Sequence, residues 1–447
     1  MATSTPPPSI LQLATDILAH AKTIHQHLES NGIPQPGFDR DSPLHFPSDA
    51  EIQGSRMALI EAAKAIYDLA VGPTNGITWS SLTSKFETVV LRAITTYNLA
   101  EAVPLHGEAS FAQIAAASNL HEDFVTRIIR YATTSHIFKE SRPGWVIHTA
   151  ASRAILEDHL LRSFLAINAD EGLSAAAKIN EANDKYGHTG SRYETAFCVA
   201  NGLEGEDMFG FMERPDQQWR KKRFAECMQY RAKNEESTSA VNKECDPLLN
   251  GSFDWDAIGE GLVVDIGGGL GHICASIARN HPKPRFLVQD LASVVSQGKT
   301  SIESEEESVK SRISFIESDF WSPQTVEADV YFMRLVMHDW SDEGCAKILK
   351  NIIPKMKPNS RIVIVDAILA EANTIPKLFE KLQRTLDLSM MMLVGGKERT
   401  GQDWELLMRK ADPRLRIVKM SLPPGSQFGL IEVALDRRSA PFLSGKL

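Results

Sequence analysis

The sequence predicts an α/β fold: a Rossmann-like domain, its sheet mostly parallel with one antiparallel edge strand, preceded by a mainly helical region that holds a winged helix. Three observations carry this. From Gly251 onward short β-rich runs alternate with helical segments, the order expected of βαβ units and a parallel sheet. The first of those runs passes straight into glycines and then a helix, in Val263-Val264-Asp265-Ile266-Gly267-Gly268-Gly269-Leu270-Gly271. Before Gly251, apolar residues recur at helical spacing instead.

The elements follow in order. Leu13, Ile17, Ala21, Ile24 and Leu28 share one face of a helix over 10–28, and Leu59, Ile60, Ala63 and Ile66 mark a second over 52–69. The prolines between Pro34 and Pro47 read as a linker. From Phe86 to Ala154 the pattern is helical around Phe111–Ala115, turns at Asn119–Asp123, is helical again over Val125–Ile137, and closes with a β-like piece, Phe138–Ile147, folded at Pro143-Gly144. Helix, turn, helix and hairpin make a winged helix. Further helices are expected over 155–240. The strand candidates are Leu262–Ile266, Arg285–Gln289, Ile313–Glu317, Val330–Met333, Arg361–Asp366, Arg416–Ser421 and Phe428–Leu435. Pro423-Pro424-Gly425 joins the last two as a hairpin, which supplies the antiparallel edge strand. Ser301–Ser308, with four glutamates, is expected to be a solvated face or loop.

Size and charge narrow the function. At 447 residues the chain is long for one domain. The expected division is an N-terminal helical extension (1–85), a winged-helix and helical part (86–250) and a ligand-binding part (251–447). Lysine and arginine total 48 against 57 aspartates and glutamates, a net charge of −9. That balance argues against a general nucleic-acid binder, which needs clustered positive charge. The five cysteines are odd in number and form no CxxC pair, so neither a disulfide framework nor a structural zinc site is expected. No signal peptide and no run of about 18 apolar residues is visible, so the expected location is the cytosol, with no membrane partner.

Glycines at a strand-to-helix turn let a ligand lie against the backbone without a Cβ in the way. The spacing here is GxGxG, since position 272 is His272, and this disfavours the GxGxxG of dinucleotide sites. Asp290 ends the second strand 23 residues after Gly267, where an acidic residue accepts hydrogen bonds from ribose hydroxyls. The third strand ends in Ser318-Asp319-Phe320-Trp321, which offers an acceptor for an adenine amino group and an aromatic face. Together they point to a nucleoside ligand rather than to a bare turn and ordinary exposed aspartates.

The segment Ala328–Glu343, ADVYFMRLVMHDWSDE, and the late Gly395-Gly396-Lys397-Glu398-Arg399-Thr400 make the resemblance specific. The chain resembles the S-adenosylmethionine-dependent O-methyltransferases of the plant caffeate and flavonoid type and their fungal relatives, over about Phe86–Leu435. The resemblance implies S-adenosylmethionine as cofactor, held by Asp265, Gly267, Gly268, Gly269, Asp290, Leu291, Asp319, Phe320 and Arg334. It implies His338 as general base, flanked by Asp366, 28 residues on, and Glu398, 60 residues on. Asp366 stands where plant members often carry a glutamate. A phenol has a pKa of about 10, so a histidine that takes the proton as the oxygen attacks speeds methylation. A paired acid fixes the tautomer and favours the imidazolium. On the acceptor side the resemblance implies Phe224, Met228, Asp339 and Met391. Met208–Met212, Phe224–Met228 and Met390–Met392 are rich in aromatics and methionines, which also suit plain core. The position of a substrate-facing methionine in many plant members is Ser389 here. No metal-ligand cluster is legible, so metal-dependent transfer is disfavoured. The family uses its winged helix for homodimerisation. Glu122 and Asp123 beside Arg127 and Arg130, with the net acidity, favour that use over DNA. The expected function is therefore methylation of a phenolic or enolic hydroxyl on a small aromatic or polyketide-type secondary metabolite. A cyclase or pericyclase on the same scaffold is the alternative, ahead of a non-catalytic winged-helix regulator.

Overall fold

The strands expected from apolar runs are present in the computed structural model, which describes residues 8–47, 49–187, 189–238, 251–422 and 428–436. With two short strands not expected, β1 and β9, the full set is β1 (Ala109–Ser110), β2 (Phe138–Arg142), β3 (Trp145–His148), β4 (Leu262–Ile266), β5 (Arg285–Asp290), β6 (Ile313–Glu317), β7 (Ala328–Arg334), β8 (Met356–Leu369), β9 (Arg399–Thr400), β10 (Leu415–Ser421) and β11 (Phe428–Leu435). The chain divides into two compact units, Met1–Ala177 with Phe209–Asn234 and Lys178–Met208 with Glu235–Leu447. Lys178–Met208 thus groups with the sheet-bearing unit, although it falls within 86–250.

The first unit is helical. Helices span Ile10–Ser30, Ala50–Val71 and Pro73–Thr96, the last two separated by Gly72 and started afresh by Pro73 at the first turn. Ser110 caps the helix Phe111–Ser118 through a capping box with Gln113, and Asn119 ends it in the left-handed region. The helix Glu122–Thr133 follows, then the β2–β3 hairpin, with β1 completing the order β1-β3-β2. Val125, Ile129 and Ala132 bury against Phe111, Ile114, Phe138 and Val146 in one core. This is the helix, turn, helix and hairpin read from the sequence. The proline-rich stretch departs from the linker expected of it. Asp39 bridges to Thr149, the Ala150 N–H donates to the Phe38 carbonyl at 3.1 Å, and the Phe38 ring stacks on His136 at 3.9 Å. Proline removes helix-forming donors there without removing contacts. Buried Glu171, in a π-helical turn over Asn168–Gly172, accepts from Arg223 at 2.7 Å through both oxygens, which ties the later segment into this unit.

In the second unit the sheet runs β10-β11-β8-β7-β4-β5-β6, with β9 beside β8. The pairs among β4 to β8 are parallel, while β11 is antiparallel to both β8 and β10. The strand antiparallel to the rest, β11, therefore lies one place in from the edge, and β10, paired antiparallel to it, forms the edge in place of the antiparallel strand expected there. Burial decides the order. Phe428–Leu435 is apolar nearly throughout and takes the covered place, whereas Leu415–Ser421 carries Arg416 and Lys419 and takes the edge. The Pro423–Gly425 turn lies outside the described residues. Of the glutamate-rich stretch, Glu305 pairs with Arg279, and Glu303 and Glu307 pair with Lys310.

Beneath the glycine-rich turn, Gly271 (φ +80°) precedes the helix His272–Asn280, and a Cβ on it would sit 2.8 Å from the Phe315 ring. The last glycine of the motif thus serves helix-to-strand packing. Gly271→Ala is expected to cost about 2–4 kcal/mol, from the positive φ and the overpacking combined. Adding Phe315→Leu should return part of that, read as recovery of melting temperature.

Candidate active site

Every cofactor residue expected from the sequence lies at, or just beyond, the carboxyl end of a strand in β4–β7, the edge of a parallel sheet at which ligands bind. β4 carries buried Asp265 into Gly267, Gly268 and Gly269. Gly267 and Gly268 donate to the Gln289 carbonyl at 2.8 and 3.3 Å, which ties the loop to β5. Asp290 completes the tie. Its Oδ2 accepts the Gly269 N–H at 2.9 Å and its Oδ1 accepts the Leu291 N–H at 2.7 Å. Nothing lies within 4 Å of where a Cβ on Gly269 would point, so that face of the loop is open. Leu291 is exposed at 61%. Burial pushes the Asp265 carboxyl up to about 7, and nearby Asp290 adds to the rise. The Cys274 thiol, donating at 3.0 Å, and Arg334 work against it. Asp319, exposed, accepts the Trp321 N–H at 2.9 Å. Phe320, Trp321 and Trp340 form an aromatic cluster with ring centroids 4.7–5.7 Å apart.

At the end of β7 the chain turns through Leu335, whose φ of +53° is unusual for a bulky residue. Its N–H is held by the Val365 carbonyl at 2.9 Å. That bend delivers His338 in a single 3-10 turn, Met337–Asp339. His338 Nδ1 lies 3.1 Å from Asp366 Oδ1 and 3.1 Å from Glu398 Oε1. The three residues are 5%, 0% and 1% exposed. Asp366 Oδ2 also accepts the His338 backbone N–H at 3.2 Å, and its Oδ1 accepts that of Ala367 at 3.0 Å. The other ring nitrogen, Nε2, is 3.5 Å from Asp339 Oδ1. Burial alone pulls the imidazole's pKa down. The charges of Asp366 and Asp339 and the ring's hydrogen bonds to Asp366 and Glu398 outweigh that and hold it well above the usual range. The sequence shows no metal-ligand cluster because these positions are so far apart, yet their ligand atoms converge within 4.8 Å. Asp366 also accepts the backbone N–H groups of His338 and Ala367, so both of its oxygens serve as hydrogen-bond acceptors.

The GGKERT segment builds the other half. A Cβ on Gly396 would overlap the His338 carbonyl oxygen, and one on Gly395 (φ +70°) would stand 2.8 Å from the Ser191 carbonyl. The two glycines thus admit the histidine turn on one side and the 189–195 strand of chain on the other. The Lys397 N–H then donates to the His338 carbonyl at 2.9 Å, and the Glu398 N–H to Asp387 at 3.0 Å. Fully buried Arg399, given no role by the sequence reading, donates to the carbonyls of Met337 at 3.0 Å and Trp340 at 2.9 Å and to Asp342 at 2.9 Å. It clamps the turn from both ends. Its place in the motif was the available signal, since a buried arginine needs such a ring of acceptors.

The acceptor residues divide between the units. Asp339 and Met391 lie in the second, Met391 half-buried on the helix Lys377–Val394. Ser389 on that helix donates back to the Thr385 carbonyl at 2.8 Å. Phe224 and Met228 lie in the first unit, both half-buried, with Phe224 edge-on to Phe209 at 5.9 Å. A cavity of about 270 Å³ opens beside the histidine turn, lined by Gly190–Tyr193, Trp321, Asp339–Ser341, Gly344 and Val394.

With this geometry in place, comparison with known proteins identifies the family. The O-methyltransferase domain family matches residues 224–412. The O-methyltransferase AMT9 of Alternaria alternata is 33% identical over 437 residues, covering 95% of this chain and 97% of that protein. The chain belongs to the O-methyltransferases. Among solved structures, OxaC in complex with SAH and oxaline superposes with a TM-score of 0.72 at 23% identity, covering 95% of this chain and 98% of that one. A pericyclic reaction enzyme superposes with a TM-score of 0.69 at 20% identity, covering 94% and 100%. At those identities the likeness is one of fold. Within this O-methyltransferase fold the glycine-rich loop follows β4, His338 follows β7 and Asp366 lies in β8, three neighbouring strands of one sheet.

Proposed function

We propose that this O-methyltransferase methylates a phenolic or enolic hydroxyl of a small aromatic or polyketide-type secondary metabolite, with His338 as general base. The observation that carries the reading is the imidazole's orientation. Nδ1 is taken by two buried carboxylates, so Nε2 is the nitrogen left to receive a proton. S-adenosylmethionine supplies an electrophilic methyl group. Asp290 and the open backbone at Gly269 suit its ribose and the chain leading from it, Asp319 and Phe320 suit the adenine, and Arg334 suits the carboxylate of the methionine end. Asp366 and Glu398 fix the tautomer and stabilise the imidazolium once Nε2 is protonated. A pericyclic step needs no proton acceptor held by paired acids, which favours methylation over that alternative.

The winged-helix part serves homodimerisation, and the helix Pro73–Thr96 that leads into it from the extension carries part of the seam. Trp79, Leu82, Phe86 and Val89, exposed at 49%, 57%, 48% and 38%, recur at three- and four-residue steps along the helix Pro73–Thr96. That is the seam spacing of helices that pair. In function the chain divides at 85/86 and 250/251 into an extension, a dimerising part and a cofactor-binding part. No described helix is long and apolar enough to cross a membrane, which supports a cytosolic site of action.

Incubation with methyl-labelled S-adenosylmethionine and a panel of phenolic metabolites tests the reaction. His338→Ala should reduce label transfer by at least about 100-fold while calorimetric cofactor affinity is unchanged. Wild-type turnover in that variant removes the general-base role. The pH profile gives an independent check. A raised histidine pKa means that the base form is lost at a pH above the ordinary value of about 6.5, so the acid limb of kcat/KM should lie above it. Asp366→Asn removes a buried negative charge and should move that limb to lower pH, with a lower plateau. For the dimer, Leu82→Glu with Phe86→Glu should give monomers by light scattering, whereas the unaltered chain should run at twice its mass.

A further inference from the structure

The segment Thr189–Thr195 is an unexpected neighbour of the histidine turn. It belongs by sequence to the helical region, yet it packs in the second unit against the very motifs that carry the chemistry. A Cβ on Gly190 would stand 3.0 Å from Ser341 Cβ, and the Ser191 carbonyl faces Gly395. Arg192 is its one cation. The guanidinium forms an ion pair with Asp207, which is 7% exposed, and lies 4.7 Å from the centroid of the Trp340 ring. It also interacts electrostatically with Asp339. Asp339 and Trp340 directly follow His338, and Asp339 Oδ1 lies 3.5 Å from its Nε2.

We propose that Arg192 is a positioning residue for the methyl transfer: clamped by Asp207 and stacked on Trp340, it holds Asp339 in place at the Nε2 face of His338 and joins the strap to the catalytic turn. The alternative placement of Asp339 is costly. Without a partner cation its carboxylate is drawn to a protonated imidazole and competes with the acceptor hydroxyl for Nε2. Arg192 gives that carboxylate a second attraction. The planar guanidinium is suited to this, since it can lie over an indole and offer N–H groups in several directions at once. Other charges around the turn have partners of their own: Asp366 and Glu398 meet Nδ1, Arg399 donates to backbone carbonyls and to Asp342, Lys397 pairs with Asp403, and Asp387 accepts the Glu398 N–H. The strap also forms one wall of the cavity of about 270 Å³, facing Trp321, Trp340 and Ser341. Arg192 therefore couples the wall of that cavity to the base.

The proposal rests on the general-base reading of His338, and the experiment separates the two. Arg192→Met, Arg192→Lys, Asp339→Asn and the Met/Asn double variant are compared in kcat, in KM for S-adenosylmethionine and in melting temperature. A misplaced reacting group costs about 10–100-fold. Arg192→Met should lose that much in kcat with KM for the cofactor unchanged, while melting temperature falls because buried Asp207 loses its guanidinium. Arg192→Lys keeps the charge and should recover part of the loss. Because Arg192 acts through Asp339, the double variant should be no slower than the slower single variant, the non-additivity expected of contacting residues. Wild-type kcat in Arg192→Met, or additive losses in the double variant, overturns the proposal. If Arg192→Met fails to fold, Arg192→Lys decides: full kcat there overturns it, and reduced kcat at unchanged cofactor KM supports it. Activity in His338→Ala would remove the general-base reading itself, whereas an inactive His338→Ala beside a fully active Arg192→Met removes only this one.

Discussion

Two carboxylates withdrawn from water beside one imidazole form the constraint around which the second unit is arranged. Asp366 and Glu398 are 0% and 1% exposed, and a lone buried charge of that kind is far too costly to keep. The His338 ring and backbone N–H groups supply the compensation. To bring those donors there, β8 must carry Asp366 in its buried half, β7 must bend sharply at Leu335, and a glycine must stand at 396 so that the turn can come close. Arg399 then fixes the turn from behind. The base is thus more than a histidine near a pocket. Its proton is the counter-charge of a buried pair, so protonation, local packing and the position of the ring are a single equilibrium.

The glycine-rich loop follows a different logic. Asp290 uses both oxygens on backbone N–H groups of Gly269 and Leu291, so the loop is fixed by the residue that also suits a ribose. Such a loop is already in its binding shape, which lowers the ordering cost when a ligand arrives. Phe315, under Gly271, supports it from the core side. Substrate-facing and supporting roles are divided among glycines that look alike in the sequence.

Much of this was legible from one chain. Strand positions followed from apolar runs, because a parallel sheet covered on both faces needs them. His338, Asp366 and Glu398 were found through a motif resemblance, since spacings of 28 and 60 residues carry no local signal of contact. The antiparallel strand was misplaced by one position because local hairpin chemistry says that two strands pair and not which one faces the sheet. Pro34–Pro47 looked like a linker because proline content reports a lack of helix, whereas attachment there depends on Phe38 and His136 meeting across the chain. Arg192 and Leu335 were invisible for the same reason: an arginine over a distant indole, or a leucine at positive φ, is set by tertiary packing alone.

The chain passes between its two units three times, at 177/178, 208/209 and 234/235. During synthesis Lys178–Met208 emerges long before the helix Lys377–Val394 against which its short helix Ala196–Asn201 packs. That short helix, with Phe197 and Cys198 both 0% exposed in the finished protein, must wait through nearly two hundred residues of translation for the later one. Contacts of such long range close slowly and leave apolar surface uncovered meanwhile. A polypeptide begun at Gly251, however complete its Rossmann-like sheet, would also lack the piece that covers its own catalytic turn.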